Sequence, residues 1–243
     1  MPIIHGNMKE SGLQLAITGD ASLSRTKVKI SWGPVLLAAI AACVIGYSLL
    51  KNYVFDPRAG FFLGVKTGLN QVVPVPSWLG AMRVHVAFAC LAAASGALNF
   101  SSRLRRRSFK LHRANGYAYL ISILAVSLTS GYLAPYATGG KWVSIPFNLL
   151  NIAWPALAVI SIRHARQGRY MAHREWMLRS YVFCFTNSCI HFFAFVLYRG
   201  AGLPYEASYI AGVYASIAFL AAAAELFIRL RRSSVNGGAL PGA

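Results

Sequence analysis

The sequence predicts an all-α fold: a polytopic membrane protein built as a six-helix transmembrane bundle with cytoplasmic termini. Three observations predict it: 56% of the 243 residues are hydrophobic, only 12% are charged, and the formal net charge is nevertheless +18. A soluble domain or a nucleic-acid binder needs more polar surface than this composition supplies. The apolar content also excludes a disordered chain. A membrane protein with its charges outside the hydrocarbon remains.

Six apolar stretches are long enough to cross a bilayer, because a spanning helix needs about 18 or more predominantly apolar residues. They are continuous runs without strict alternation, which excludes a barrel of short strands. In chain order, the predicted spans are 32–50, 78–100, 114–134, 142–162, 176–198 and 206–230.

The spans define three regions of the chain. A cytoplasmic N-terminal tail, 1–30, precedes a transmembrane domain at 31–231, and a flexible C-terminal tail follows at 232–243. The N-terminal tail lacks the basic-then-apolar order of a signal peptide. Pro146 and Pro155 lie inside the fourth span, where they predict a kink or an interruption.

Most of the 24 Lys and Arg residues lie on one side of the predicted membrane: in the N-terminal tail, before the third and fifth spans, and at the C-terminal end. The positive-inside rule makes this side cytoplasmic and predicts a multi-pass protein of the bacterial inner membrane. These residues would also attract anionic lipid headgroups, by about 1 kcal/mol each near the surface. We expect no nucleic-acid partner, while a quinone, another redox partner and a homo-oligomer stay open.

Four of the six histidines form two pairs at two predicted depths. His85 and His191 each lie about seven residues from the outer end of a span, and His112 and His173 lie at the cytoplasmic edge of the third and fifth spans. His173 and His191 are 18 residues apart. That separation is five helical turns, so both would share one face if the helix were continuous.

An imidazole inside a bilayer needs a polar partner, and haem iron is one that helix bundles commonly hold through histidine. The pairs predict haem b as a cofactor. His112 and His173 would ligate a haem iron on the cytoplasmic side, and His85 and His191 would ligate one on the outer side. Two haems at opposite depths would suit transmembrane electron transfer. Four nearby arginines could pair with haem propionates, namely Arg83, Arg113, Arg174 and Arg179.

A second class of function stays open. The histidines could be packing or solvated residues of a non-redox membrane protein, such as a small-solute transporter, a sensor or an assembly factor. In that interpretation the two His-Arg pairs, at 112–113 and 173–174, would contact lipid phosphate. The sequence shows no arrangement of nucleophile, base and oxyanion donor, so it does not favour a hydrolytic enzyme, and enzymatic activity is left undecided.

The two basic loops resemble each other. A shift of 61 residues aligns His112-Arg113 with His173-Arg174 and Arg105 with Arg166. A duplicated helical hairpin would place both His-Arg pairs at one depth, around an axis along the membrane normal. Common selection for basic cytoplasmic loops would explain the likeness equally well.

The same region carries a resemblance to a known family, most specifically in the string HREWMLRSY at 173–181. The matching positions are Arg83, His85, Gly96, Asn99-Phe100, Arg103, His112-Arg113, Gly116, Tyr119, His173-Arg174, Trp176-Met177 and Arg179-Ser180-Tyr181. Over 78–198 the chain resembles the bacterial integral membrane proteins catalogued as domain of unknown function 2306. The resemblance implies a multi-helix membrane protein and supplies no reaction. By analogy alone, the layout is also similar to two-haem membrane cytochromes of the b561 type.

Overall fold

The computed structural model describes residues 32–64 and 73–237. The predicted tail at 1–30 and the end of the chain at 238–243 lie outside the described residues. The described residues are helical and include no strand. Six helical segments among them are long and apolar enough to cross a membrane, which confirms the predicted number of spans. These segments are Val35–Phe55, Val75–Phe100, Phe109–Tyr136, Lys141–Arg166, Tyr170–Gly200 and Tyr205–Ser233.

The helices do not coincide with these segments everywhere. The fifth segment contains two α-helices, and two short helices lie outside all six segments. The α-helices are α1 (Trp32–Leu49), α2 (Gly60–Gly64), α3 (Val75–Phe100), α4 (Ser102–Arg107), α5 (Phe109–Leu133), α6 (Lys141–Arg166), α7 (Tyr170–Tyr181), α8 (Thr186–Phe195) and α9 (Tyr205–Gly237). We call the side of the bundle that holds α4, the α6–α7 connection and the end of α9 the basic face.

The third and fifth spans begin earlier than the sequence predicts. The predicted starts are 114 and 176, whereas α5 begins at Phe109 and α7 at Tyr170. Ser108 caps α5, because its hydroxyl accepts a hydrogen bond from the Leu111 amide at 3.3 Å. Such a cap satisfies one of the amides that have no partner in the first turn of a helix. The histidines at 112 and 173 therefore lie in the first turn of a helix, not in front of one.

The fifth span is not one continuous α-helix. A 3₁₀ turn at Val182–Phe185 separates α7 from α8. Each residue turns the chain by about 120° in a 3₁₀-helix and by about 100° in an α-helix. Over the four residues of this turn, α8 is therefore rotated by about 80° from the position it would have in one continuous α-helix. The condition under which His173 and His191 would share one face is therefore not met.

Two further helices can be compared with their predicted form. The prolines at 146 and 155 lie inside α6, which is a single α-helix and has no interruption. The last helix continues past the predicted end of its span at 230 to Gly237. Residues 232–237, expected in the C-terminal tail, are therefore helical.

Small residues and polar side chains bring α3 against its neighbours. A Cβ added to Gly96 would overlap the ring of Tyr181, so only glycine permits this approach between α3 and α7. The Tyr181 hydroxyl donates to the Ala93 carbonyl at 2.9 Å. On the other side, the Asn115 amide of α5 donates to the Ser95 carbonyl at 2.7 Å. These contacts fix the position of α3 between α5 and α7.

The bundle has an apolar surface and hydroxyl groups in its interior. Leu128 and Ile152 are 78% and 73% exposed, whereas Ser122 and Ser216 are fully buried. The buried hydroxyls donate to carbonyls one turn earlier in their own helices. This distribution suits lipid as the surrounding solvent, because every buried polar group must then be satisfied within the protein.

Candidate histidine sites

A cavity of about 220 Å³ lies in the half of the bundle away from the basic face. Residues of α1, α3, α5, α6 and α8 contribute to its walls. His85 of α3 and His191 of α8 both line it, together with Lys51. We call this space the histidine cavity. The structure thus brings the two histidines predicted as an outer pair into one space.

The hydrogen bonds around His85 favour one tautomer of its ring. Its Nδ1 lies 3.1 Å from the Thr129 hydroxyl oxygen. That hydroxyl donates its only hydrogen to a backbone carbonyl one turn earlier, at 2.8 Å from Ala125. With the hydroxyl hydrogen on a carbonyl of its own helix, the hydroxyl oxygen accepts from Nδ1, and Nδ1 carries the proton of the neutral ring. The lone pair of His85 is then on Nε2.

His173 has the same tautomer for a related reason. Its Nδ1 lies 2.9 Å from the Ser161 carbonyl oxygen, which can only accept. The Ser161 hydroxyl lies 2.8 Å from the same Nδ1 and 3.0 Å from the His173 carbonyl. Nδ1 therefore donates, and Nε2 keeps its lone pair in the neutral ring. A backbone carbonyl that accepts from Nδ1 is the usual support of a metal-ligating histidine.

The other two predicted ligands are His112 and His191. His112 lies close enough to His173 for the two groups to interact electrostatically. Its ring also lies 6.2 Å from the ring of Phe109, centroid to centroid. Among the described residues, no side chain or carbonyl accepts a hydrogen bond from the rings of His112 and His191 or donates one to them. His85 and His191 therefore share one cavity, His112 lies near His173, and the rings of His112 and His191 keep unused nitrogen atoms.

Two of the four candidate arginines are engaged elsewhere. Arg179 donates through Nε and Nη2 to both carboxylate oxygens of Glu225. Its guanidinium also lies over the ring of Trp176, 4.8 Å from the centroid. Arg83 donates to the Pro57 carbonyl at 3.1 Å and so holds the segment that follows α1. Neither arginine lines the histidine cavity.

The other two candidate arginines do not line the histidine cavity either. The Arg113 guanidinium lies 5.4 Å from the centre of the Phe109 ring. Arg174 lines a different cavity, between α7 and α9. Lys51 is the basic residue that the structure brings into the histidine cavity. The sequence instead predicted Arg83 as the basic residue near His85.

A buried hydrogen-bonded chain occupies the centre of the bundle between the two histidine levels. The Trp154 indole donates to the Tyr119 hydroxyl at 3.3 Å, and this hydroxyl lies 2.8 Å from the Ser180 hydroxyl. On α5, Tyr119 lies about 10 Å beyond His112 and about 15 Å before Thr129, from the helical rise. This hydrogen-bonded chain therefore lies between the two histidine levels, which packed side chains separate.

Sequence reasoning missed the residues that support the histidines. Thr129 and Ser161 are hydroxyl residues inside apolar spans, and this pattern alone does not distinguish them from other buried hydroxyls such as Ser122. Lys51 follows the first span and reads as an ordinary flanking charge. Of the central hydrogen-bonded chain, Tyr119 and Ser180 did carry a signal, because both are among the family-like positions named above.

Paired imidazoles suit haem iron, whose remaining ligands come from the porphyrin. Within the described ranges, no group of three or more His, Cys, Asp or Glu residues could hold a bare metal ion. The candidate donors are His85 and His191 on one cavity, and His112 and His173 near the basic face.

The fold defines a multi-pass α-helical membrane protein, and the four predicted histidines lie on its spanning helices. The chain belongs to the family of predicted membrane proteins catalogued as domain of unknown function 2306, whose family model matches residues 82–228. The match begins in α3 and extends the resemblance of 78–198 through most of α9. No curated protein and no solved structure matches the chain.

Proposed function

We propose that this membrane protein binds b-type haem at its two histidine pairs and carries electrons between the two sides of the bilayer. One observation carries the proposal most strongly. His85 and His173 each donate through Nδ1 to an oxygen of the neighbouring helix, which leaves the Nε2 lone pair available. His191 lines the same cavity as His85, and His112 lies close enough to His173 to interact electrostatically.

Ligation of iron needs a nitrogen lone pair on a ring whose orientation is fixed. Thr129 fixes the ring of His85 from α5, and Ser161 fixes the ring of His173 from α6. His191 and His112 would provide the opposing ligands. Bound haem supplies a one-electron couple that the amino acids lack. The chain itself orients the rings and fills the space between the levels with Tyr119.

The orientation of the protein in the membrane is part of this hypothesis. We propose that the basic face lies in the cytoplasm of a bacterial inner membrane, which the positive-inside rule supports. A green fluorescent protein fused after residue 243 should fluoresce, and an alkaline phosphatase fused there should be inactive. The reverse pattern would contradict this orientation.

A visible spectrum tests haem binding. The protein is expressed with a haem supply, purified in detergent, and measured as a reduced-minus-oxidised difference spectrum. We expect a Soret band and an α band of b-type haem. A folded, monodisperse protein without these bands would overturn the proposal and favour the non-redox class, for which solute uptake into vesicles is the next assay.

Matched histidine variants test the assignment of the ligands. His173→Ala and His85→Ala should each remove part of the spectrum. His164→Ala is the control, because His164 also lies near the basic face but stacks on Trp176, with the ring centroids 6.3 Å apart. Equal spectra for the wild type, His173→Ala and His85→Ala would contradict the assignment.

A further inference from the structure

A second cavity lies between α7 and α9 at the basic face, apart from the histidine cavity. Its volume is about 380 Å³. Charged side chains form one part of its wall and apolar side chains form another. We call it the arginine groove. Its residues used below are Arg174, Glu175, Leu178, Phe227, Arg231 and Arg232.

The charges in the arginine groove do not balance. Arg232 donates to both carboxylate oxygens of Glu175, so these two side chains neutralise each other. Arg174 and Arg231 lie close enough to interact electrostatically, and Arg105 also acts on Arg174. Among the described residues neither Arg174 nor Arg231 has a carboxylate partner. Neighbouring like charges repel, so an anion between them would be stabilised.

The apolar part of the arginine groove lies deeper in the membrane than its charges. Leu178 follows Arg174 by four residues on α7, which runs away from the basic face. Phe227 precedes Arg231 by four residues on α9, which runs towards that face. Four residues are about 6 Å of helix, so both helices present an arginine about one turn above an apolar side chain.

This layering matches a phospholipid and also indicates where it enters. Phe227 is 57% exposed on a surface that faces lipid. The groove is therefore open to the bilayer, and its arginines lie at the depth expected for headgroups. Basic pockets between spanning helices are typical binding sites for anionic headgroups.

We propose that the arginine groove binds one anionic phospholipid, with its phosphate between Arg174 and Arg231 and an acyl chain against Leu178 and Phe227. This site is independent of haem binding. It assigns to Arg174 a role that differs from contact with a haem propionate.

Native mass spectrometry of the detergent-purified protein, titrated with dioleoyl phosphatidylglycerol, tests the site. The wild type should retain one phosphatidylglycerol more tightly than dioleoyl phosphatidylcholine, which has the same acyl chains and no net charge. Arg174→Ala/Arg231→Ala should bind phosphatidylglycerol about 30-fold more weakly, from the usual contribution of two basic residues. Arg174→Lys/Arg231→Lys keeps both charges and should bind within a few-fold of the wild type.

Arg106→Ala/Arg107→Ala is the matched control, because it removes two exposed charges from the same face and neither residue lines the groove. An equal loss in this control would overturn the proposal in favour of diffuse attraction. Equal retention of the two lipids would overturn it as well. Displacement of the lipid by millimolar inorganic phosphate would show that the groove binds free phosphate instead. If the double alanine variant does not fold, Arg231→Ala alone provides the comparison.

Discussion

The Tyr119 hydroxyl lies 2.8 Å from the Ser180 hydroxyl, and the two residues are 61 positions apart. The same shift relates His112 to His173 and the first residue of α5 to the first residue of α7. Equivalent residues of two repeated units approach each other where the symmetry axis passes. The contact is therefore what a duplicated hairpin with an axis along the membrane normal would produce.

Tyr119→Phe should destabilise the bundle more than Ser180→Ala does. The phenylalanine leaves the buried Trp154 indole without its acceptor, which costs about 1–3 kcal/mol of unfolding free energy. In Ser180→Ala the tyrosine hydroxyl still accepts from Trp154, so a loss of about 1 kcal/mol is expected. Denaturant unfolding in detergent measures both. Additive losses in the double variant would contradict a direct Tyr119–Ser180 interaction.

Gly96→Ala should destabilise the protein, because the new methyl group would overlap the ring of Tyr181. Overpacking of this kind costs about 1–3 kcal/mol. Gly131→Ala is the control, since a Cβ there meets nothing within 4 Å and alanine favours a helix by about 0.5–1 kcal/mol. The two variants should therefore shift the melting temperature in opposite directions. A stabilising Gly96→Ala would show that α3 and α7 are less closely packed.

Glu225→Gln should destabilise the contact between α7 and α9. It leaves the Arg179 guanidinium, whose side chain is only 19% exposed, without its carboxylate. Hydrogen bonds to charged groups contribute about 1.5–3 kcal/mol, and partial exposure of Glu225 favours the lower end. Glu206→Gln at the other end of α9 should change stability by less than about 0.5 kcal/mol. Equal melting temperatures for the two variants would show that the ion pair contributes nothing measurable.

Thr129→Val should weaken haem retention at the outer site while it preserves the shape of the side chain. The variant removes the oxygen that accepts from His85 Nδ1. Loss of such a support lowers metal affinity by about 10- to 100-fold. Thr138→Val, at a buried threonine that does not line the histidine cavity, is the control. Haem titration of the purified apoprotein measures the affinity, and equal affinities would remove Thr129 from the site.

The number of spanning helices could be predicted from the sequence because lipid forces each span to satisfy its own backbone hydrogen bonds. The 3₁₀ turn at 182–185 could not be predicted, because this segment contains no glycine or proline that would mark it. The early start of α5 depends on a single serine cap at 108, within a run of basic residues that reads as a loop.

The end of the bundle at which each histidine lies could also be predicted, because the order of the spans sets it. The hydrogen-bond partners of the candidate site residues could not be predicted. Thr129 is 44 residues from His85, and Glu225 is 46 residues from Arg179. Contacts at that range depend on how the helices pack and rotate against each other, which apolar periodicity does not determine.

The haem content per chain, from a pyridine haemochromogen assay on the purified protein, tests the central claim most directly. We expect two haems in the wild type and in His164→Ala, one in His85→Ala, one in His173→Ala and none in the double variant. Folding of each variant is checked by size-exclusion chromatography. A folded wild type without haem, or a haem content that neither histidine changes, would contradict the account.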